Sequence, residues 1–281
     1  MITLIWQANK EVSWETDWIE YLFRNVTHNT ITDYQLNTEI DNCVIIYNST
    51  VNNSDYIKNL YDKGITFGLI HLSDEWYRDP VDNYSLAKFV IRNFCGNYGP
   101  NVHVFPVGCI STYPYGLITN TVKQRQYTWS FSGHVDKSNR HEMTQYMTTV
   151  PNGKSYFKNC GEYVGYALTP VQLWDMYNDS LFMPCPNGNF VMESFRLCEA
   201  LQAGSLPIVE RGDYWTQLYG DDHPLIQVDH WSQAPTVIEH LMTDLDALEL
   251  QRYETHQWWL KHCDKLIETV THLSNTYLRN V

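Results

Sequence analysis

A chain of 281 residues can build one large domain or two of roughly 130, and 43% apolar with 14% aromatic content supplies a sizeable core without disulfides or metal. Nineteen Lys and Arg against 32 Asp and Glu leave a net charge of −13, which argues against the positive surface that non-specific nucleic-acid binding requires. Against that acidic balance, each basic residue near an anion-suited element stands out.

The seven cysteines (43, 95, 109, 160, 185, 198, 263) form an odd set without a C-x-x-C pair, and several sit in apolar runs. Reduced structural thiols in a cytosolic protein are the expectation. No apolar run approaches the ~18 residues of a membrane span, and residues 1–6 lack the basic start and length of a signal peptide. A cytoplasmic location is therefore expected, with the sequons at Asn25, Asn48, Asn52 and Asn178 unused.

In chain order, residues 2–6 read as a strand and 15–24 as a helix with Trp18, Leu22 and Phe23 inward. The apolar run 42–47 has the look of a buried parallel strand, 54–63 of a helix ending at Gly64, and 65–72 of another buried strand. Residues 84–93 read as helical, and 102–107 as a strand ending at Gly108. Strands alternating with helices imply a parallel sheet with both faces covered. The polar, Pro- and Gly-punctuated stretch 109–127 reads as a linker.

A second unit follows: strand 127–133, helix 139–149, a short strand at 155–157, helix 169–178 with Pro170 in its first turn, and strand 181–183. Then comes FMPCPNGNFVMESFRLCEALQAGSLPIV, residues 182–209. Its prolines and glycine make 184–188 a loop. Phe190, Val191, Phe195, Leu197, Cys198 and Leu201 mark one apolar helical face, and 206–209 reads as a buried strand. Strand 225–228 and two amphipathic helices, about 233–249 and 250–278, complete the chain.

Four strand ends carry chemistry-bearing residues, the position where open α/β sheets bind ligands. At the end of 65–72 stand His71, Asp74 and Glu75, suited to general-base work or, more plainly, to capping a turn. At the end of 127–133 stand Gly133 and His134, with Lys137 and Arg140 beyond, which suit phosphate or a solvated turn. Glu193, Ser194, Arg196 and Glu199 lie near the start of the helix after Asn187 and Gly188, where free N–H groups and the helix dipole favour an anion. The plainer alternative there is a surface Glu193–Arg196 pair. Arg211, directly after the 206–209 strand, is a further phosphate contact or an ordinary surface arginine. Other signatures fail: no complete P-loop, no G-x-G-x-x-G after a strand, no second histidine after His141-Glu142, no G-x-S-x-G elbow. Asp244 and Asp246 have the spacing of a metal–nucleotide pair but sit in a helical pattern.

FSGH with a basic residue beyond, followed by Pro184-x-Pro-x-Gly and then Glu193-Ser194-Phe195-Arg196-Leu197-x-Glu199-Ala200-Leu201-x-Ala-Gly204-Ser-Leu-Pro207-Ile-Val209, resembles the exostosin-type glycosyltransferases over about residues 127–215. The nearest members by motif are ribitol xylosyltransferases and small relatives without a membrane anchor, some of them viral. The resemblance implies an α/β chain of GT-B architecture, two Rossmann-like domains with a ligand cleft between them. The division is expected at 1–120 for an acceptor domain and 121–254 for a sugar-nucleotide domain, with a C-terminal helix of about 255–281 returning to the first.

The resemblance also implies inverting transfer of a sugar, xylose favoured, from a UDP-sugar to a glycan hydroxyl without an obligatory metal. Arg140, Arg196 and the helix N-terminus would then face the diphosphate, with Ser194 on a phosphate oxygen and Glu199 on the ribose. Gly133, His134, Asn187, Gly188, Glu193 and Arg211 would complete the donor site. Asp74 is the expected base, with Glu75 second. The alternative is a non-catalytic nucleotide- or carbohydrate-binding module of the same fold.

Overall fold

The computed structural model describes residues 1–7, 14–115, 118, 120–159 and 168–278. The chain divides into two compact units, Met1–Val107 with His262–Val281, and Gly108–Lys261, whereas the sequence reading set the divisions at 120 and about 254.

The first unit holds β1 (Ile2–Trp6), α1 (Thr16–Leu22), β2 (His28–Thr32), β3 (Cys43–Asn48), α2 (Ser54–Asp62), β4 (Phe67–Leu72), β5 (Val90–Arg92) and β6 (Val102–Val104). All six strands pair in parallel in the order β2-β1-β3-β4-β5-β6. The central strands β3 and β4 are almost wholly buried, because a parallel sheet between helical layers buries both faces of each strand. That is why they read as continuous apolar runs. The edge strand β2, HNTIT, is half-solvated and carries no such run, so the sequence reading passed over it.

The helix expected over 84–93 is not there. A 3₁₀ turn, Asp82–Leu86, leads into strand β5. Phe89, Val90 and Ile91 are all buried, and the Phe89 ring packs on Gly68, where a Cβ would lie 2.5 Å from it. Tertiary burial of a β-branched, aromatic run overrides the local helical spacing.

The second unit holds β7 (Tyr127–His134), α3 (Arg140–Met147), β8 (Gly153–Lys158), α4 (Pro170–Asn178), β9 (Ser180–Pro184), α5 (Phe195–Gln202), β10 (Leu206–Glu210), α6 (Asp213–Tyr219), β11 (Ile226–Val228), α7 (Ala234–Leu241) and α8 (Leu245–Tyr277). Its five parallel strands run in the order β11-β10-β9-β7-β8 over a core that includes Trp129, Phe131, Phe182, Ile208 and Trp231. Thr169 and Gln172 form a reciprocal capping box at α4, with Pro170 in its first turn.

Helix α5 begins at Phe195, later than the apolar pattern from Phe190 implied. Gly188 N–H bonds the Val191 carbonyl and prolongs the loop, leaving Phe190 63% exposed. The two expected C-terminal helices break at 242–244 instead of 249–250, where Asp244 Oδ1 accepts the N–H groups of Asp246 and Ala247. Asp244 is thus a cap, and Asp246 pairs with Lys123. The 33-residue α8 contributes 245–261 to the second unit and the remainder to the first. Six described cysteines are unbonded, and Cys160 lies outside the described residues. Among the described residues no helix is long and apolar enough to cross a membrane.

Candidate functional site

In an open parallel sheet, the two strands at which the order reverses splay their following loops apart and leave a crevice at their carboxyl ends. In the second unit those strands are β7 and β9, neighbours in the sheet although β8 and α4 intervene in sequence. Ser132, Gly133 and His134 end β7, and the 184–188 loop follows β9.

Two arginines tie these ends together. Arg140 opens α3 and is only 4% exposed. Its Nε donates to the Asn187 carbonyl at 2.9 Å and its Nη1 to the His134 carbonyl at 3.2 Å. Asn187 N–H in turn donates to Asn139 Oδ1 at 3.3 Å. Arg196 stands in the first turn of α5, two residues after its N-cap Ser194. Its Nη2 donates to the Ser132 carbonyl at 2.6 Å, and its guanidinium lies 4.3 Å over the Phe131 ring. Gly133 has φ +145°, and a Cβ there would sit 2.5 Å from Arg196 Nη2. Only glycine admits both the backbone and the guanidinium.

Among the described residues, four buried side-chain atoms at this place have no hydrogen-bond partner: His134 Nδ1, Asn139 Nδ2, Asn187 Oδ1 and Arg196 Nε. An unsatisfied buried polar atom costs about 1–3 kcal/mol. Four on neighbouring residues around one strand crossover mark a site built to receive a polar ligand. Two cationic side chains and the N-terminus of α5 make it anion-suited.

The remaining expected donor residues are placed differently. Gly188 is buried in the loop beside Asn187. Glu193 is 2% exposed and accepts the Tyr214 hydroxyl at 2.7 Å. Glu199 is also buried, and burial raises its carboxyl to about 7, against the opposing pull of Arg196 and of a bond from the Ile110 backbone. Arg211 is engaged elsewhere: its Nε donates to Asp229 at 2.7 Å, with the arginine side chain 60% exposed. This is the placement of an ordinary surface arginine. Asn139 was not singled out from sequence, although its place at the start of the predicted 139–149 helix was the available signal.

In the first unit, Asp74 is 3% exposed with both oxygens engaged. Oδ2 receives Arg92 Nη2 at 3.3 Å, and Oδ1 receives the N–H groups of Arg78 and Asp79 at 2.9 and 3.4 Å. The plainer reading, a carboxylate capping a turn, describes this geometry. Glu75 beside it is half-buried. His71 is fully buried. Its Nε2 bonds Asp79 Oδ2 at 2.8 Å, its Nδ1 bonds the Tyr84 hydroxyl at 2.5 Å, and its ring stacks on Tyr47 at 4.5 Å. His71, Asp74 and Asp79 offer ligand atoms within 4.8 Å of one another, the make-up of a cation site. Arg92, however, already places a positive charge on Asp74 and helps burial hold His71 down to about 4. A second cation there would face that charge.

No protein-family model matches the chain, and no curated protein matches it in sequence. Solved structures match in fold. HepE of Anabaena, in complex with UDP, is 10% identical over 98% of this chain and 99% of that one, with a TM-score of 0.58. BGT of T4 phage, with its UDP-glucose substrate, is 12% identical over 98% of each chain at 0.52. An alpha1,3-fucosyltransferase is 11% identical over 95% and 90% at 0.54. At such identities the likeness is one of fold, and the fold is GT-B: two Rossmann-like α/β domains, each with a parallel sheet.

Proposed function

We propose that the protein is a UDP-sugar-dependent glycosyltransferase that moves a sugar to a glycan hydroxyl by inverting, single displacement. The observation that carries this is the β7–β9 crossover, where Arg140, Arg196 and the start of α5 surround four unpartnered buried polar atoms. A diphosphate supplies acceptors for Arg196 Nε and Asn139 Nδ2. The uracil or sugar supplies polar partners for His134 Nδ1 and Asn187 Oδ1. Support comes from the GT-B neighbours HepE and BGT, solved in complex with UDP and with UDP-glucose. Xylose as the sugar, and transfer without an obligatory metal, rest on the exostosin-like motif from Glu193 to Val209. The guanidiniums of Arg140 and Arg196 would there do the charge neutralisation a cation does elsewhere.

Isothermal calorimetry tests the reading. UDP is expected to bind the intact protein, with UMP and ADP weaker. A panel of UDP-xylose, UDP-glucose and UDP-N-acetylglucosamine then reports UDP release, with UDP-xylose fastest. Absence of UDP binding would remove the donor site. UDP binding without release from any donor would leave a non-catalytic nucleotide-binding module.

A further inference from the structure

Residues 73–81 follow β4 at the carboxyl end of the first unit's sheet and form a turn whose shape is fixed from several sides. Tyr77 N–H donates to the Asp74 carbonyl at 3.2 Å, and Asp74 Oδ1 accepts the Arg78 and Asp79 N–H groups. Ser73 N–H donates to Asn93 Oδ1 at 3.2 Å, and the Tyr77 hydroxyl donates to the Cys95 carbonyl at 2.9 Å, so the turn is also tied to the chain beyond β5. Ser73 and Tyr77 hold φ of +64° and +52°, a left-handed conformation uncommon in residues other than glycine. Two such residues in one short loop, kept there by the surrounding bonds, are the kind of strain that gathers at binding sites.

The turn also displays apolar surface that folding has not buried. Trp76 is 48% exposed, and Tyr77 and Val81 are each 39% exposed. Three large apolar side chains within six residues are a concentration that a solvated loop does not need. Arg78 lays its guanidinium 5.1 Å from the centre of the Trp76 ring. Asp79, three residues on, is held firmly: its Oδ2 accepts His71 Nε2 at 2.8 Å. His71 is fixed in turn by the Tyr84 hydroxyl on Nδ1 at 2.5 Å, and Tyr84 by Arg92 Nη1 at 3.1 Å. Burial and Arg92 keep that imidazole neutral, so its one ring proton serves Asp79. The Asp79 side chain is 20% exposed, and among the described residues no hydrogen bond reaches its Oδ1.

A ligand for this loop has to bring an apolar face to the indole and a neutral hydrogen-bond donor to the carboxylate. A metal ion meets the charges of Arg78 and Arg92, and a phosphate group meets the carboxylates of Asp74, Glu75 and Asp79. A sugar ring satisfies both demands. Its C–H groups carry partial positive charge and suit the negative face of the indole, while its hydroxyls form charge-assisted hydrogen bonds with a carboxylate. We propose that this turn is a carbohydrate-binding subsite of the first unit, in which a sugar ring lies on the Trp76 indole and one of its hydroxyls donates to Asp79 Oδ1. Because the turn is ordered beforehand, binding carries little cost for arranging it. A sugar is also the kind of ligand that the glycosyltransferase reading calls for, yet the subsite lies within one unit and needs no nucleotide.

The test is saturation-transfer NMR on the intact chain without nucleotide, using xylose, glucose, xylobiose and cellobiose as probes at millimolar concentration. At least one of the four is expected to receive saturation on its ring C–H protons, and a titration gives its dissociation constant. Trp76→Ala is expected to abolish the transfer, and Trp76→Tyr, which keeps an aromatic face, to retain it. Asp79→Asn keeps the side-chain shape and is expected to weaken the affinity roughly 10-fold, the worth of a hydrogen bond to a charged group. Tyr61→Ala, at an exposed ring in the last turn of α2, is expected to leave binding unchanged. A thermal melt checks that each variant is folded.

No transfer to any of the four sugars overturns the subsite, as does transfer that survives Trp76→Ala. Equal loss in Tyr61→Ala shows general adhesion to surface aromatics and overturns it as well. Unchanged affinity in Asp79→Asn overturns the part given to the carboxylate. Calorimetry with UDP on the same protein keeps the two readings apart: sugar binding without UDP binding leaves this subsite and removes the donor site, and UDP binding without sugar binding does the reverse.

Discussion

Arg196 and Gly133 are packed so closely that a methyl group on the glycine would lie 2.5 Å from the guanidinium. The glycine also holds φ +145°, which side chains rarely adopt. Gly133→Ala is therefore expected to displace Arg196 from the Ser132 carbonyl and to lower UDP affinity roughly 10- to 100-fold, the worth of one charge-assisted hydrogen bond. Calorimetry checks the affinity, and a thermal melt checks that the fold survives.

Arg140 and Arg196 are expected to separate in their effects. The buried Arg140 joins two backbone carbonyls from the end of β7 and the loop after β9, so Arg140→Ala should cost about 1.5–3 kcal/mol of stability as well as UDP affinity. Arg196 is half-buried and makes one such bond. Arg196→Ala is expected to weaken UDP binding with a smaller fall in stability. Urea unfolding alongside calorimetry distinguishes the two.

Asp74 caps the turn that carries Asp79 and neutralises the buried Arg92. Asp74→Ala leaves Arg92 uncompensated, and removing one member of a buried pair costs about 3–5 kcal/mol. A lower urea midpoint is the expected result. An unchanged midpoint would contradict the buried Arg92–Asp74 pair.

Glu199 sets a pH dependence. Its carboxyl is raised to about 7 in the fold, so between the usual carboxylate range near ~4.3 and about 7 the folded state holds a proton that the unfolded chain has lost. Stability from this residue therefore falls as pH rises through that window. His71, pushed down to about 4, works the opposite way: its contribution is lost as pH falls from ~6.5 toward 4. Glu199→Gln is expected to raise the melting temperature relative to wild type at pH 8 and to leave it nearly unchanged at pH 4. A constant difference across that range would contradict the buried, protonated carboxyl.

Much of the fold was legible along the chain. Strands β3, β4 and β10 announce themselves because burial on both faces demands nearly unbroken apolar runs. The misplacements have local causes. Phe190 continues the apolar spacing of α5 yet is solvent-exposed, because a backbone bond from Gly188 to Val191 holds the loop open. Residues 84–93 carry a helical spacing, but Phe89 finds its partner in Gly68 on the neighbouring strand.

What the sequence determined by itself is the alternation of strand and helix, the glycine before His134, and the anion-suited start of α5, since each depends on neighbours within a few residues. Only the tertiary structure decided which of the candidate residues meet. Gly133, His134, Arg140, Asn187 and Arg196 come together because β9 pairs directly with β7, although β8 intervenes in sequence. Arg211, equally basic and equally placed after a strand, turns to Asp229 instead. In the first unit the carboxylate nearest the strand end, Asp74, is taken by Arg92 on another strand, and Asp79 is carried to His71 by a turn with no spacing signature. Strand pairing at a distance and buried charge matching are properties of the assembled sheet, and no local pattern encodes them.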